Sequence, residues 1–300
     1  MKILIGLLVA ILIICVALVL KTLTGATPRD SVGQRHILVR GEVPLVYFTL
    51  AGNGAGNGSG ATIVMIPSLG RSASDFNELA LAMNQLGHFV ILVEPRGMRA
   101  KGGLDDKSIT LFDLADDVAA IAAQENTSSH VVLGHAFGNR VARAYATKFP
   151  AATSGVVLLA AGGKVPISDT IRQALRRSFW TWMPDVWRQP FLRLAFFANG
   201  NDIPGYWMRG WNIPTSTMQV RATSNLTSES WWAGGTAPLL LVQGMADTIA
   251  PPEHTADLLE AEFGARVHVV RVEKAGHAIL PEQPDIVNQA VGDFLKRLNE

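Results

Sequence analysis

Between residues 131 and 149 the sequence builds a site for chemistry and then omits the reacting atom. The apolar run Val131-Val132-Leu133 is followed by Gly134-His135-Ala136-Phe137-Gly138 and then by a helical stretch, Asn139 to Phe149. Strand, Gly-x-x-x-Gly, helix is the context in which a sharp turn holds one side chain at its tip, clear of both elements. The glycines permit the bend, because a Cβ at either place would clash in so tight a turn. A hydroxyl or thiol at the tip would be a nucleophile. Ala136 offers only a methyl group.

Other chemistries find little support. Ala51 to Gly60 reads AGNGAGNGSG, but it lacks the Lys-Ser/Thr ending of a phosphate-binding P-loop and no helix follows it. It reads as a flexible hairpin loop. No His/Asp/Glu cluster has metal-ligand spacing, so neither a metal nor another cofactor is expected. A net charge of +1 over 300 residues gives no electrostatic case for nucleic acid. The only cysteine is Cys15, which excludes a disulfide within the chain. His130 and His254 carry no usable pattern.

The elements around the turn follow from hydrophobic patterning. His36 to Arg40 and Leu45 to Leu50 read as antiparallel strands joined by the turn Gly41 to Pro44. Thr62 to Ile66, Phe89 to Val93, Val131 to Leu133 and Gly155 to Ala160 are short apolar runs typical of buried strands. Helices are expected from Ser74, as N-cap, to about Leu86 with a stop at Gly87, and from Ile109 to Gln124. In the second, Leu111, Leu114, Val118 and Ile121 recur every three or four residues. Strand and helix alternate, break at Gly162-Gly163, and resume with a strand at Pro238 to Val242. A helix near Glu253 to Glu262, a strand at Arg266 to Val272 and a last helix near Gln283 to Leu298 follow. Such alternation predicts a mostly parallel sheet with helices on both faces.

Between the two alternating parts, about 70 residues hold all seven tryptophans. A structureless loop of that length is improbable in a compact domain, so a helical cap is expected. The tryptophans would form its small core, line an apolar cleft beneath it, or both. The expected organisation is residues 1–26 as N-terminal segment, 27–162 as first core part, 163–236 as cap and 237–300 as second core part, with a polar linker over residues 21 to 35.

Ile3 to Leu20 is an unbroken apolar run of 18 residues between Lys2 and Lys21. It is long enough to span a bilayer and longer than a usual signal-peptide core. It shows no polar face, unlike a buried soluble helix. Residues 3–20 are therefore expected to be a membrane anchor holding the rest of the chain outside the cytoplasm. Export after cleavage near Thr24-Gly25-Ala26 is the alternative. Basic residues on both sides make the charge-bias comparison weak.

From about residue 36 to 300 the chain resembles the α/β-hydrolase family, with a cap between the sixth and seventh core strands. Pro67-Ser68-Leu69-Gly70 stands where that family has its oxyanion loop, and Gly134 to Gly138 at its elbow. Gly244-Met245-Ala246-Asp247 follows a strand and matches the acid position. Gly276-His277 follows the last strand and matches the histidine. The order elbow, acid, histidine is the family's order. The resemblance implies that Asp247 orients the His277 imidazole and that His277 serves as general base. The backbone N–H groups of Leu69 and Phe137 would then receive a developing oxyanion. His135, Ser68 and Arg96-Gly97 are expected to be structural.

Ala136 departs from the pattern and excludes an acyl-enzyme formed in the family's usual manner. The implied function is hydrolysis of a carboxylic ester or lactone, with a small apolar ester-like ligand under the cap. Three explanations of Ala136 stay open. A hydrolase can be inactivated by a serine-to-alanine replacement. Alternatively, the Asp247–His277 pair can activate water directly; residual catalysis without a triad member is still about 10³–10⁴-fold over water. Or the chain is a non-catalytic binding module on a hydrolase scaffold. Keeping both Asp247 and His277 weighs against that third explanation. A cofactor-free, base-catalysed lyase-type reaction needs only a base and an oxyanion hole, and is a further alternative.

Overall fold

The computed structural model describes residues 2–51, 60–298 and 300. Most of the glycine-rich stretch Ala51 to Gly60 lies outside the described residues. Eight strands form one sheet: β1 (Gln34–Arg40), β2 (Val43–Leu50), β3 (Thr62–Ile66), β4 (Phe89–Val93), β5 (His130–His135), β6 (Thr153–Leu159), β7 (Leu239–Gly244) and β8 (Val267–Val272). Their spatial order is β1-β2-β4-β3-β5-β6-β7-β8. β1 pairs with β2, and β2 with β4, antiparallel. From β4 onward every pairing is parallel.

The helices are α1 (Lys2–Ala26), ahead of the first strand, then α2 (Asn77–Gln85), α3 (Leu111–Gln124), α4 (Gly138–Lys148), α5 (Asp169–Ser178), α6 (Asp185–Phe196), α7 (Ile213–Ser224) and α8 (Ala256–Phe263) in the connections between strands, and α9 (Ile279–Glu282) and α10 (Pro284–Arg297) after the last strand. Alternate residues of one strand serve opposite layers. Val132 packs with Val118 and Ile121 of α3 and Val141 of α4. Val131 and Leu133 pack with Leu79 and Met83 of α2 and Val291 of α10. With both faces covered, the central strands carry apolar runs such as Ile63 to Ile66, Val131 to Leu133 and Leu239 to Val242. Each fully buried aliphatic side chain contributes about 1.5–3 kcal/mol.

Three details differ from the sequence reading. The cap before α2 is Ser72, not Ser74. Ser72 has extended backbone and its hydroxyl accepts the Ser74 N–H, opening a 3₁₀ turn, Ala73–Phe76, that precedes the helix. Glu94 anchors that hydroxyl, which fixes the start two residues early. α3 opens at Thr110, in a reciprocal cap with Asp113. The expected linker over residues 21 to 35 is taken up at both ends, by α1 and β1. Its middle is held to the body by Arg29 on Glu78 (2.7 Å) and by the Asn77 side chain on the Asp30 carbonyl (2.9 Å).

α1 stands apart in composition. Its Ile5–Thr22 window has a mean hydropathy of 2.8, and none of it is buried. By length and composition such a helix can serve as an anchor or a signal sequence. Between β6 and β7 lie α5, α6 and α7, where the sequence breaks its alternation.

Candidate active site

Each candidate residue sits just beyond the C-terminal end of a parallel strand. Leu69 follows β3, Ala136 follows β5, Asp247 follows β7 and His277 follows β8. In open parallel sheets that edge is where ligands bind.

The turn at Ala136 has the geometry its glycines require. A Cβ on Gly134 would overlap the backbone of Gly138, and one on Gly138 would overlap the Ile66 carbonyl. Ala136 itself is left-handed, with φ +50°. That conformation costs a non-glycine residue roughly 1–2 kcal/mol. The Ala136 N–H holds it by donating to the Leu159 carbonyl of β6 (2.9 Å).

Opposite stands a buried pair. His277 Nδ1 lies 2.8 Å from Asp247 Oδ2. The other carboxylate oxygen accepts the N–H groups of Ile249 (2.9 Å) and Ala250 (2.8 Å). A carboxylate oxygen accepts here, so the neutral imidazole that fits this contact donates from Nδ1 and has its lone pair on Nε2. Nε2 has no protein partner among the described residues. His277, Ala136, Leu69 and Phe137 all line one cavity of about 560 Å³. The Leu69 and Phe137 N–H groups meet no acceptor among the described residues.

The loop carrying Leu69 is held from the segment between β6 and β7. Gly70, with φ +60°, donates its N–H to Gln219 Oε1 of α7 (2.7 Å) and accepts the Asn212 N–H (2.9 Å). Arg71 forks onto Asp75 at 2.7 and 2.8 Å. Behind the loop, buried Glu94 accepts from Ser72 (3.0 Å), the Ala73 N–H (3.2 Å) and Arg99 (3.3 Å). Burial outweighs these contacts and pushes Glu94 up from 4.5 to about 7.

The sign of that shift makes a prediction. Between pH 4.5 and 7 the folded chain binds more protons at Glu94 than the unfolded chain does. Its stability contribution is therefore full below pH 4.5 and is lost as pH rises through 7. The total is at most about 3 kcal/mol. Thermal unfolding of wild type and Glu94→Gln across pH 4.5 to 8 should show the variant gaining relative stability as pH rises. A constant difference would reject this assignment.

Other sequence candidates have defined places. His135 Nε2 donates to the His277 carbonyl (2.9 Å) beneath the site, and burial holds the ring down to about 4, hence neutral. Ser68 is buried and lines the cavity. Arg96 forks onto buried Asp117 at 2.5 and 2.8 Å and does not line this cavity. His130 pairs with Tyr145 (2.7 Å).

The tryptophans depart from one expectation: none of them lines this cavity. Trp207 and Trp211 form a core with Phe179 and Phe196. Trp231 and Trp232 pack on the guanidinium of buried Arg143. Trp180, Trp182 and Trp187 are exposed. The apolar wall is aliphatic and phenyl instead, from Ile167, Leu175, Phe196, Val220 and Ile249. Sequence reading also passed over Arg140. It stands four residues after the turn's tip, and the Gly-x-x-x-Gly pattern ends before it.

A strained strand-to-helix turn that shares a cavity with a carboxylate-oriented imidazole, at the carboxyl edge of a mostly parallel sheet, is the design of the α/β-hydrolase class. The sequence pattern of the alpha/beta hydrolase family matches residues 63–290, and the chain belongs to that family. It is 24% identical over 251 residues to Protein ABHD8 of Mus musculus, covering 79% of this chain and 56% of that one. The chain thus spans just over half the length of the curated relatives it first matches. In structure it resembles a membrane phospholipase A described as a bacterial virulence factor (TM-score 0.70, 17% identity, 100% of this chain and 99% of that one). It also resembles a thermophilic esterase from Thermogutta terrifontis (TM-score 0.68, 19% identity, 89% and 100%). At these identities the structural likeness concerns the fold.

Proposed function

We propose that the chain hydrolyses carboxylic esters or lactones with an apolar substrate part, using water in place of the missing serine. The observation that carries this reading is the 2.8 Å His277–Asp247 bond beside a cavity that also holds Ala136. His277 Nε2 takes a proton from water as its oxygen attacks the ester carbonyl. The carbonyl oxygen, now an oxyanion, receives the N–H groups of Leu69 and Phe137. On collapse, the leaving alkoxide takes the proton back from Nε2. Replacing a serine hydroxyl by a methyl hydrogen frees about the space of one water oxygen at the tip. Residues 163–236 serve as the cap, and their Ile167, Leu175 and Val220 suit an acyl or aryl group. The phospholipase and esterase among the structural relatives agree with ester chemistry.

The test is hydrolysis of a short-chain aryl ester by the full chain in detergent. Turnover without an initial burst of aryl alcohol is expected, since no acyl-enzyme forms. If the ester binds and no turnover exceeds buffer, the second reading replaces the first. That second reading is a ligand-binding protein on a hydrolase scaffold, and the absent nucleophile at Ala136 favours it.

For localisation, the proposal is a retained anchor with the remaining residues outside the cytoplasm. The Gly25 carbonyl accepts the N–H groups of Gly210 (2.7 Å) and Trp211 (3.3 Å), and Lys21 pairs with Asp185 (2.9 Å). Cleavage after Ala26 would strand those N–H donors. Exposed Trp180, Trp182 and Trp187 are chain neighbours of Thr181 and Asp185, which touch α1. Tryptophan favours the membrane–water interface. The membrane fraction should retain the chain through alkaline carbonate washing. Recovery of a soluble form beginning at Thr27 would overturn retention.

A further inference from the structure

The charge lining the cavity is unbalanced. Arg140, Lys164 and Arg172 line it, and no aspartate or glutamate does so among the described residues. Two of these cations are already matched: Lys164 by Glu262 (2.5 Å) and Arg172 by Asp169 (2.7 Å). Arg140 is different. Its guanidinium lies 5.8 Å from the Trp231 ring centroid, and its side chain has no ion pair or hydrogen-bond acceptor among the described residues.

Arg140 is half-buried, whereas the guanidinium groups that the fold buries fully are given partners. Arg71 has Asp75 and Arg96 has Asp117. Arg143, one helical turn further along α4, donates from its terminal nitrogens to the Asn139 side chain and to the Gly162 and Trp232 carbonyls, although its Nε has no acceptor among the described residues. A half-buried cation that faces a cavity and has no protein partner can still pair with an anion that arrives with a ligand, and the low-polarity surroundings strengthen that pair. Arginine suits the task because its planar fork meets carboxylate or phosphate oxygens in pairs. Beyond its polar groups the wall is largely aliphatic and phenyl, from Ile167, Leu175, Phe196, Val220 and Ile249, which suits a ligand whose remainder is mainly apolar.

We propose that the cavity selects an anionic amphiphile, an apolar chain bearing a carboxylate or phosphate group, whose anion pairs with Arg140. This rests on the cavity being the substrate site and narrows the substrate to esters that carry a separate negative charge. Arg140 is a specificity residue here; the bond-breaking groups remain those named above.

The test is calorimetric titration of the full chain in non-ionic detergent with octanoate, octyl phosphate and octanol. The anions should bind about ten- to a hundredfold more tightly than octanol, the range expected of a charge-assisted hydrogen-bonded contact. Whichever anion binds more tightly identifies the head group. Arg140→Gln should abolish the preference while leaving octanol affinity unchanged, and Arg140→Lys should keep part of it. Ligand-free Arg140→Gln should melt no lower than wild type, since an unpartnered cation has been removed. Equal binding of all three amphiphiles overturns the proposal, as does a preference that survives Arg140→Gln. Binding is read without turnover, so the two proposals fail separately. A chain that hydrolyses nothing can still show the preference. A chain that hydrolyses neutral esters and shows no preference keeps its chemistry and loses this selectivity.

Discussion

Ala136→Ser is expected to raise aryl-ester hydrolysis by about 10³-fold or more. The change adds one oxygen at a position whose backbone already has the required φ of +50°. The tip borders an open cavity, so no packed neighbour must move. His277 Nε2 already carries the lone pair that would take the serine proton, because Asp247 fixes the proton on Nδ1. In a complete triad, losing the nucleophile costs about 10⁶-fold in kcat, with about 10³–10⁴-fold over water left from the rest of the site. Restoring it at a site with the other parts in place should recover a large fraction of that loss. The kinetic form should change as well as the rate. A burst of aryl alcohol should appear, and a phosphonate ester should label residue 136 with the matching mass increase. A folded Ala136→Ser chain with neither gain nor labelling would show that His277 does not address the tip.

What was legible in the sequence was local or tied to strand ends. Gly134 and Gly138 announce the turn because only they avoid overlap with the Gly138 and Ile66 backbone. Asp247 and His277 are 30 residues apart, yet each follows a strand, and adjacent parallel strands β7 and β8 bring such ends together. The reciprocal cap at Thr110 and Asp113 was present in the sequence as a Thr-x-x-Asp pattern and was passed over. Other features depend on distant partners. Ser72 outcompetes Ser74 as cap because Glu94, 22 residues away, receives its hydroxyl. Tryptophans suit a small core and a cleft equally by type. Only packing shows that Trp231 and Trp232 cover Arg143 while Phe196 and Ile249 face the cavity. An unmatched cation such as Arg140 has no sequence signature, since being unmatched is a statement about every neighbour.

His277→Ala should reduce ester turnover by about 10²–10⁴-fold, the usual contribution of a positioned general base. Asp247→Asn should reduce it by at least about 10²-fold through a different route. The asparagine oxygen can still accept the Ile249 and Ala250 N–H groups that Asp247 Oδ1 holds at 2.9 and 2.8 Å, so the loop stays in place. Its amide nitrogen then faces His277 Nδ1 and donates, which moves the ring proton to Nε2. An Nε2 that carries hydrogen cannot take a proton from water. The double variant should be no slower than His277→Ala alone, because Asp247 acts only through the imidazole it orients. Losses that multiply instead would mean that Asp247 acts on the substrate directly. Binding of an uncleaved ester analogue should survive in all three variants, which separates loss of the base from loss of the cavity. If His277→Ala leaves turnover unchanged, water is activated elsewhere. The buried pair would then be a remnant that holds β7 and β8 together rather than the base of a reaction.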